Sequence, residues 1–207
     1  MAYVPPPASL ARLGTIVDQI GLATPIDKPI TKKPAIFAKL PGGQIIFDTD
    51  LELDTDGWPD GPGGDASFDP HTSLRYANDG SIDANKVPYF VLPLPKSFPP
   101  SLGVSLGDYA AVIFKNQLAF ATFADLGPAN KLGEGSIELL RRLGQERLKP
   151  NGQIINAGMG PRVITIVFPG SGEAVHRSNQ ATLLAAIEAT AKPLFEALGG
   201  NAAALVA

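Results

Sequence analysis

Glycine and proline interrupt this chain so often that few segments are free to run on as long helices. There are 22 Gly and 20 Pro in 207 residues, roughly a fifth of the chain against about 12 % in an average protein. They follow no period, so a collagen-like fibre is excluded. A hydrophobic share of 44 % argues against disorder. So many turn-formers also disfavour a helical bundle. What remains is a turn-rich globular chain with one core, mainly β with flanking helices, of the α+β class.

The apolar pattern supports that class. Short runs at 35–40, 44–47, 88–92, 109–114, 118–123 and 162–168 are bounded by turn signals and predict six strands. Lys115 and Asn116 stand between two of them as a hairpin turn. Residues 1–30 read as an arm and linker. Ser9 is a helix N-cap, Leu10, Leu13, Val17 and Ile20 form an apolar stripe, and Gly21 is the stop. Residues 31–172 hold the β-rich domain, with a helix starting near Ser136 and ending at Gly144. In 173–207 a helix from about Asn179 to Leu198 carries a stripe of Leu184, Ile187, Ala191, Leu194 and Leu198, with Pro193 as a kink. The two terminal helices are expected to cover each other.

Charge and rare residues exclude several function classes. Lys and Arg number 17 against 20 Asp and Glu, so the basic footprint of a nucleic-acid binder is missing. With no Cys and only two His, disulfides, thiolate chemistry and common zinc sites are ruled out. No segment approaches the ~20 apolar residues of a membrane span. The first residues lack the basic-then-apolar run of a leader, so the chain is expected either to be cytoplasmic or to be a mature form.

Three stretches carry the polar groups that could do chemistry. The first holds Asp48, Asp50, Asp54, Asp56 and Asp60 around Trp58 and continues to Asp69. Taking Asp54 as the first ligand of an EF-hand puts Trp58 and Pro59 where a ligand and a Gly are needed, so that loop is excluded. A looser calcium site, a solvated acidic loop, and an acidic wall with Trp58 as a stacking platform stay open. The second stretch holds His71, Arg75 and Tyr89. Arg75 is either a structural ion-pair partner or a ligand for substrate. His71 and His176 are too far apart in sequence to suggest a triad. The third runs from 120 to 137. An apolar strand ends at Asp125, a Gly-Pro turn follows, and Glu134 precedes a helix. Two carboxyl groups at converging element ends suit glycosidic cleavage, one protonating the leaving oxygen and the other activating water. The alternative is capping, with Asp125 on turn amides and Glu134 at a helix N-terminus.

Ordered blocks then carry a resemblance. Asp54-Thr55-Asp56-Gly57, Thr72-Ser73-Leu74, 87–93, 107–113, 120–125, Gly133-Glu134-Gly135-Ser136 and 163–170 together resemble the family 75 glycoside hydrolases, the fungal-type chitosanases. Thr55 stands where fungal members carry Cys. The resemblance implies a secreted, endo-acting hydrolase of chitosan that inverts configuration and needs no cofactor. Asp125 and Glu134 match its catalytic pair, with Glu138, two positions into the helix, as a nearby substitute. A strand, an acid, Gly, a short loop, a second acid and a helix also look like the signature of double-psi β-barrels, which implies a six-stranded barrel with Glu134 as proton donor. Asp125 would then be the base or the group that keeps Glu134 protonated. A cleft lined by Asp48, Asp50, Asp54, Asp56 and Asp60 would attract a cationic polysaccharide, with Trp58, Tyr76 and Tyr89 available to stack on sugars, burial in the core being the commoner outcome for the two tyrosines. The implied partner is chitosan, with neither nucleic acid nor membrane, and a monomer or weak homodimer is expected. Peptidoglycan cleavage and non-catalytic sugar binding are the rival functions.

Overall fold

Alternating side chains build the longest sheet element that the site depends on. In the computed structural model, which describes residues 3–59, 61, 67–155 and 158–203, strand β3 spans Ile45–Asp54. Its second half reads acid, Thr, acid, Leu, acid, Leu, acid, so period-two geometry sends Asp48, Asp50, Glu52 and Asp54 to one face. Thr49, Leu51 and Leu53 go to the other. The acidic stretch is therefore a strand up to Asp54. The expectation of a loop from Asp48 onward is corrected, because alternation outweighs composition.

The remaining strands are β1 (Thr24–Pro25), β2 (Ile36–Lys39), β4 (Tyr89–Pro93), β5 (Tyr109–Phe114), β6 (Gln117–Gly127), β7 (Glu134–Ser136) and β8 (Met159–Phe168). Going round, β3, β7, β4, β6, β5 and β8 are each bonded to the next, and β8 returns to β3. The result is a closed six-stranded barrel, as the wider resemblance implied, with β2 and β1 extending beside β3. The pairs β3–β7 and β4–β6 are parallel and the other pairs of the ring are antiparallel. Closure removes the open edges that a flat sheet would expose.

Every predicted strand is present; the two missed are the short β1 and β7. Lys115 adopts φ 54° at the β5–β6 turn, and Phe114 faces Gln117 across it. Side chains of opposite parity fall into two apolar clusters. Tyr109, Ala111 and Ile113 join one, Ala110, Val112 and Phe114 the other. Both faces of the barrel wall are thus packed.

Helices close over this wall. In the arm, α1 (Leu10–Leu13) and α2 (Ile16–Ile20) are separated at Gly14, so the single predicted helix is two short ones. Its buried side is Leu13, Ile16 and Ile20, while Leu10 is 43 % exposed. A short α3 (Phe98–Ser101) follows β4. Helix α4 (Ile137–Arg142) is capped by Ser136, whose hydroxyl accepts the Leu139 N–H at 3.1 Å. Helix α5 (Gln180–Ala197) starts at Asn179, which accepts the Thr182 N–H, and passes through Pro193. Its buried face is Leu183, Ala186, Ile187, Ala191 and Phe195. The predicted stripe shared only Ile187 and Ala191 with it, since Leu194 is partly exposed and Phe195 makes the contact with Phe120. The terminal segments do meet. Thr15 N–H bonds Gly199 O at 3.0 Å, Asn201 N–H bonds Arg12 O at 2.8 Å, and Gln19 Nε2 bonds Leu198 O at 2.8 Å.

Candidate active site

Strand register brings the two sequence-predicted acids together. Val91 of β4 faces Asp125 of β6 on one side and Glu134 of β7 on the other. Glu134 in turn faces Glu52 of β3. Four neighbouring strands thus align Glu52, Glu134, Val91 and Asp125 in one row. Two interstrand steps of about 4.8 Å separate the backbones of Asp125 and Glu134, so their Cα atoms stand on the order of 10 Å apart. The β4–β6 register slips between Phe90 and Val91, leaving Ala124 as an extra residue. Such bulges re-aim the side chain that follows, and here that side chain is Asp125.

Gly127 leaves space for this arrangement. A Cβ there would lie 2.4 Å from Glu134 Oε2 and 3.0 Å from Val91 Cγ1. Glu134 and the row it belongs to therefore share a face with the end of β6. Glu134 Oε1 accepts a 2.6 Å bond from Lys131 Nζ, which also reaches Glu52 Oε2 at 2.9 Å. Lys32 meets Glu52 Oε1 at 2.5 Å. The bonds to Lys32 and Lys131 hold Glu52 below the usual carboxylate range. Burial pulls Lys131 down, but its bonds to Glu134 and Glu52 outweigh that and leave it above the ordinary lysine value. Glu134, Glu52, Asp50, Lys32 and Lys131 line a polar cleft of ≈ 690 Å³. A second cleft of ≈ 460 Å³ continues from Lys32 past Lys33, Leu132 and Pro161.

Asp125 is 6 % exposed. Its Oδ1 accepts bonds from Ser73 N–H at 2.9 Å, Ser73 Oγ at 2.5 Å and Leu126 N–H at 2.7 Å. Asp54, Asp56 and Asp125 each offer one carboxylate oxygen, all within 4.8 Å of one another, the one such trio among the described residues. Asp54 is pushed up to about 8, first by burial, then by the Asp56 charge, and further by Asp125 and Glu134; the Asp56 N–H bond opposes this. Calcium takes six to eight oxygens, which these three carboxylates would have to share with backbone carbonyls or water, and we assign no metal to them.

The other predicted residues scatter. Tyr89 is fully buried in the core, with its hydroxyl donating to Asp56 O at 3.0 Å. Its ring cannot stack on a sugar; its role is to hold the Asp54–Asp56 turn. Trp58 is 7 % exposed and packs into the same apolar cluster, so its ring is no open platform either. Tyr76 packs against that cluster as well. Arg75 bonds Ser81 Oγ, Asp79 O and His71 Nδ1 and bridges its own loop; neither the expected acid partner nor a substrate cleft is beside it among the described residues. Asp48 is 2 % exposed and bound to Tyr3 and Arg162, so it does not face substrate as part of an acidic wall. Asp56 stays at the turn beside Asp54, and Asp60 lies outside the described residues. Glu138 is engaged by Arg141 and Arg142 on α4 and is no substitute for Glu134. The helix N-cap is Ser136, with Glu134 inside β7, so the capping role expected of Glu134 belongs to Ser136.

Lys131, Lys32 and Glu52 were not singled out from sequence. The i,i+3 spacing of Lys131 and Glu134 was the one local signal available.

A carboxylate-lined cleft on a closed barrel, with Glu134 in its wall, invites comparison with known hydrolases, and one family matches. The model of the fungal chitosanases of glycosyl hydrolase group 75 covers residues 51–202, about three quarters of the chain. The chain belongs to that family. No curated protein matches it. Membership of group 75 makes it a glycoside hydrolase of the chitosanase type, with a polysaccharide as substrate. It also reaches both helices beyond the barrel, α4 and α5, so the group 75 unit includes the C-terminal helix. Among the described residues no helix is long and apolar enough to cross a membrane.

Proposed function

We propose that this group 75 member cleaves β-1,4 bonds between glucosamine units within chitosan chains, with inversion, through Asp125 and Glu134. The observation that carries this reading is the shared row, in which Val91 holds the two acids apart on one face of the wall. Inverting enzymes keep their carboxyl groups about 6.5–9.5 Å apart so that a water fits between bond and base. Two interstrand steps are of that scale. Around the cleft three carboxylates, Asp50, Glu52 and Glu134, stand against two lysines, Lys32 and Lys131. That small acidic excess, with Asp54 and Asp56 close by, favours a polymer of protonated amines.

The test is reducing-end release from chitosan by the wild-type chain, Glu134→Gln and Asp125→Asn. General acid–base groups contribute about 100- to 10,000-fold, so each variant is expected to lose at least about 100-fold. Proton NMR of the first product formed should show the α-anomer from a β-linked substrate. Full activity in Glu134→Gln overturns the assignment. Cleavage of muropeptides with chitosan untouched would favour the peptidoglycan reading.

A further inference from the structure

The two lysines of the polar cleft are held differently. Lys131 bonds both Glu134 and Glu52 and is one-third exposed. Lys32 meets Glu52 Oε1 at 2.5 Å and Asp50 Oδ2 at 4.0 Å, yet its side chain is 68 % exposed. It comes from the arm, outside the residues 51–202 that match group 75, and it lines both clefts. The backbone around it is fastened. Thr31 N–H bonds Asn130 O at 2.8 Å, Asn130 Nδ2 bonds Thr31 Oγ1 at 2.7 Å, and Ala35 N–H bonds Asp48 O at 3.0 Å. The Lys32 side chain thus reaches from a fixed base across the cleft to β3.

An exposed ion pair gains little, because water competes for both partners and a long side chain must be held in one geometry. Another ammonium can therefore replace Lys32 at low cost. A protonated glucosamine unit carries such a group, a primary ammonium with three N–H donors like that of lysine. Glu52 faces Glu134 across the β3–β7 pair, so an ammonium bound there lies beside the sequence-predicted reacting acid. A unit with a neutral amide offers Glu52 no cation in exchange for Lys32.

We propose that Lys32 is a specificity-determining residue whose ammonium occupies, on Glu52 and Asp50, the place that a glucosamine ammonium takes when chitosan binds. This rests on the chitosan-hydrolase reading and names the group by which the cleft recognises its polymer. The incoming amine displaces the Lys32 side chain, Lys131 stays on Glu52 and Glu134, and Glu52 keeps a cation on each oxygen in both states. Lys32 therefore competes with the substrate amine, and the arm tunes a cleft whose other walls belong to the barrel.

The test measures binding of a glucosamine tetramer by calorimetry on the full chain, with Glu134→Gln in every variant so that nothing is consumed. Thermal melts check that each variant folds. Lys32→Met should tighten binding about two- to fivefold, which is what an exposed ion pair contributes. Lys32→Arg should bind as the background chain does, and Glu52→Gln added to Lys32→Met should abolish the gain. Lys33→Met removes the same charge one residue along, in the adjoining cleft, and should tighten binding less. Equal tightening by Lys33→Met would reduce the effect to net charge and overturn the inference. A tetramer of N-acetylglucosamine should gain nothing from Lys32→Met; an equal gain would make Lys32 a steric obstacle and overturn it too. So would unchanged or weaker glucosamine binding in Lys32→Met, or no binding by any variant. A wild-type chain that leaves chitosan uncut while this binding pattern holds would remove the hydrolase reading and leave the role of Lys32 standing.

Discussion

Asp54 shows how much a single residue can bind pH to stability. Its carboxyl is pushed up to about 8 in the folded chain, whereas an unfolded Asp sits near 3.9. Between those values the native state keeps a proton that the unfolded state has released, so native stability falls as pH rises across that window. Asp54→Asn keeps the oxygen that accepts the Asp56 N–H and removes the charge. Its melting temperature should match wild type near pH 4 and exceed it increasingly up to pH 8. A difference that is constant with pH would show that Asp54 carries no proton there. Asp54 was legible as a candidate because it stands in an acid-rich stretch. Its proton was not, since burial and the approach of Asp125 come from residues remote in sequence. Trp58 is covered for the same reason: an aromatic beside acids looks available to a sugar until the core that covers it is known.

At the level of elements, β7 is only three residues long yet is wedged between β3 and β4. Its entry depends on Gly133, at φ 92°, where a Cβ would lie 2.0 Å from Asp50 O. Gly133→Ala must therefore displace either β7 or β3. Gly144, at φ 80° with nothing within 4 Å of its would-be Cβ, is the control for backbone strain alone, worth about 1 kcal/mol. Gly133→Ala should lower the melting temperature more than Gly144→Ala and reduce hydrolysis further, because Glu134 moves with β7. Equal effects would mean that the close approach matters little. The strands of the β5–β6 hairpin were legible as continuous apolar runs joined by a two-residue turn. Strand β7 was not, because Glu-Gly-Ser has neither apolar alternation nor length; only neighbours on both sides make it a strand. In β3 the signal was present in Thr49, Leu51 and Leu53, but the acids between them resembled a loop.

Across the whole molecule, the two ends of the chain cooperate. Arg12 bonds Asn116 O at the β5–β6 turn and Ala202 O beyond α5, so arm, barrel and C-terminal helix share one set of hydrogen bonds. Phe195 is fully buried against this assembly. Phe195→Ala should cost about 3–5 kcal/mol, seen as one cooperative transition at lower temperature with KM unchanged well below it. A separate early transition would mean that α5 unfolds apart from the barrel. The chain ends meet through bonds around Gly199, but the expected covering of one terminal helix by the other gives way to packing of α5 on β5 and β6. The face that α5 uses was not legible, because an Ala-rich helix offers several apolar sides. The row through Val91 has a broader consequence. The span between its two acid-bearing positions is metered by backbone hydrogen bonds, a yardstick common to all β-sheets. Drift in surface sequence can retune the charge and protonation of this cleft, while the gauge that sets the acids apart is inherited unchanged with the sheet itself.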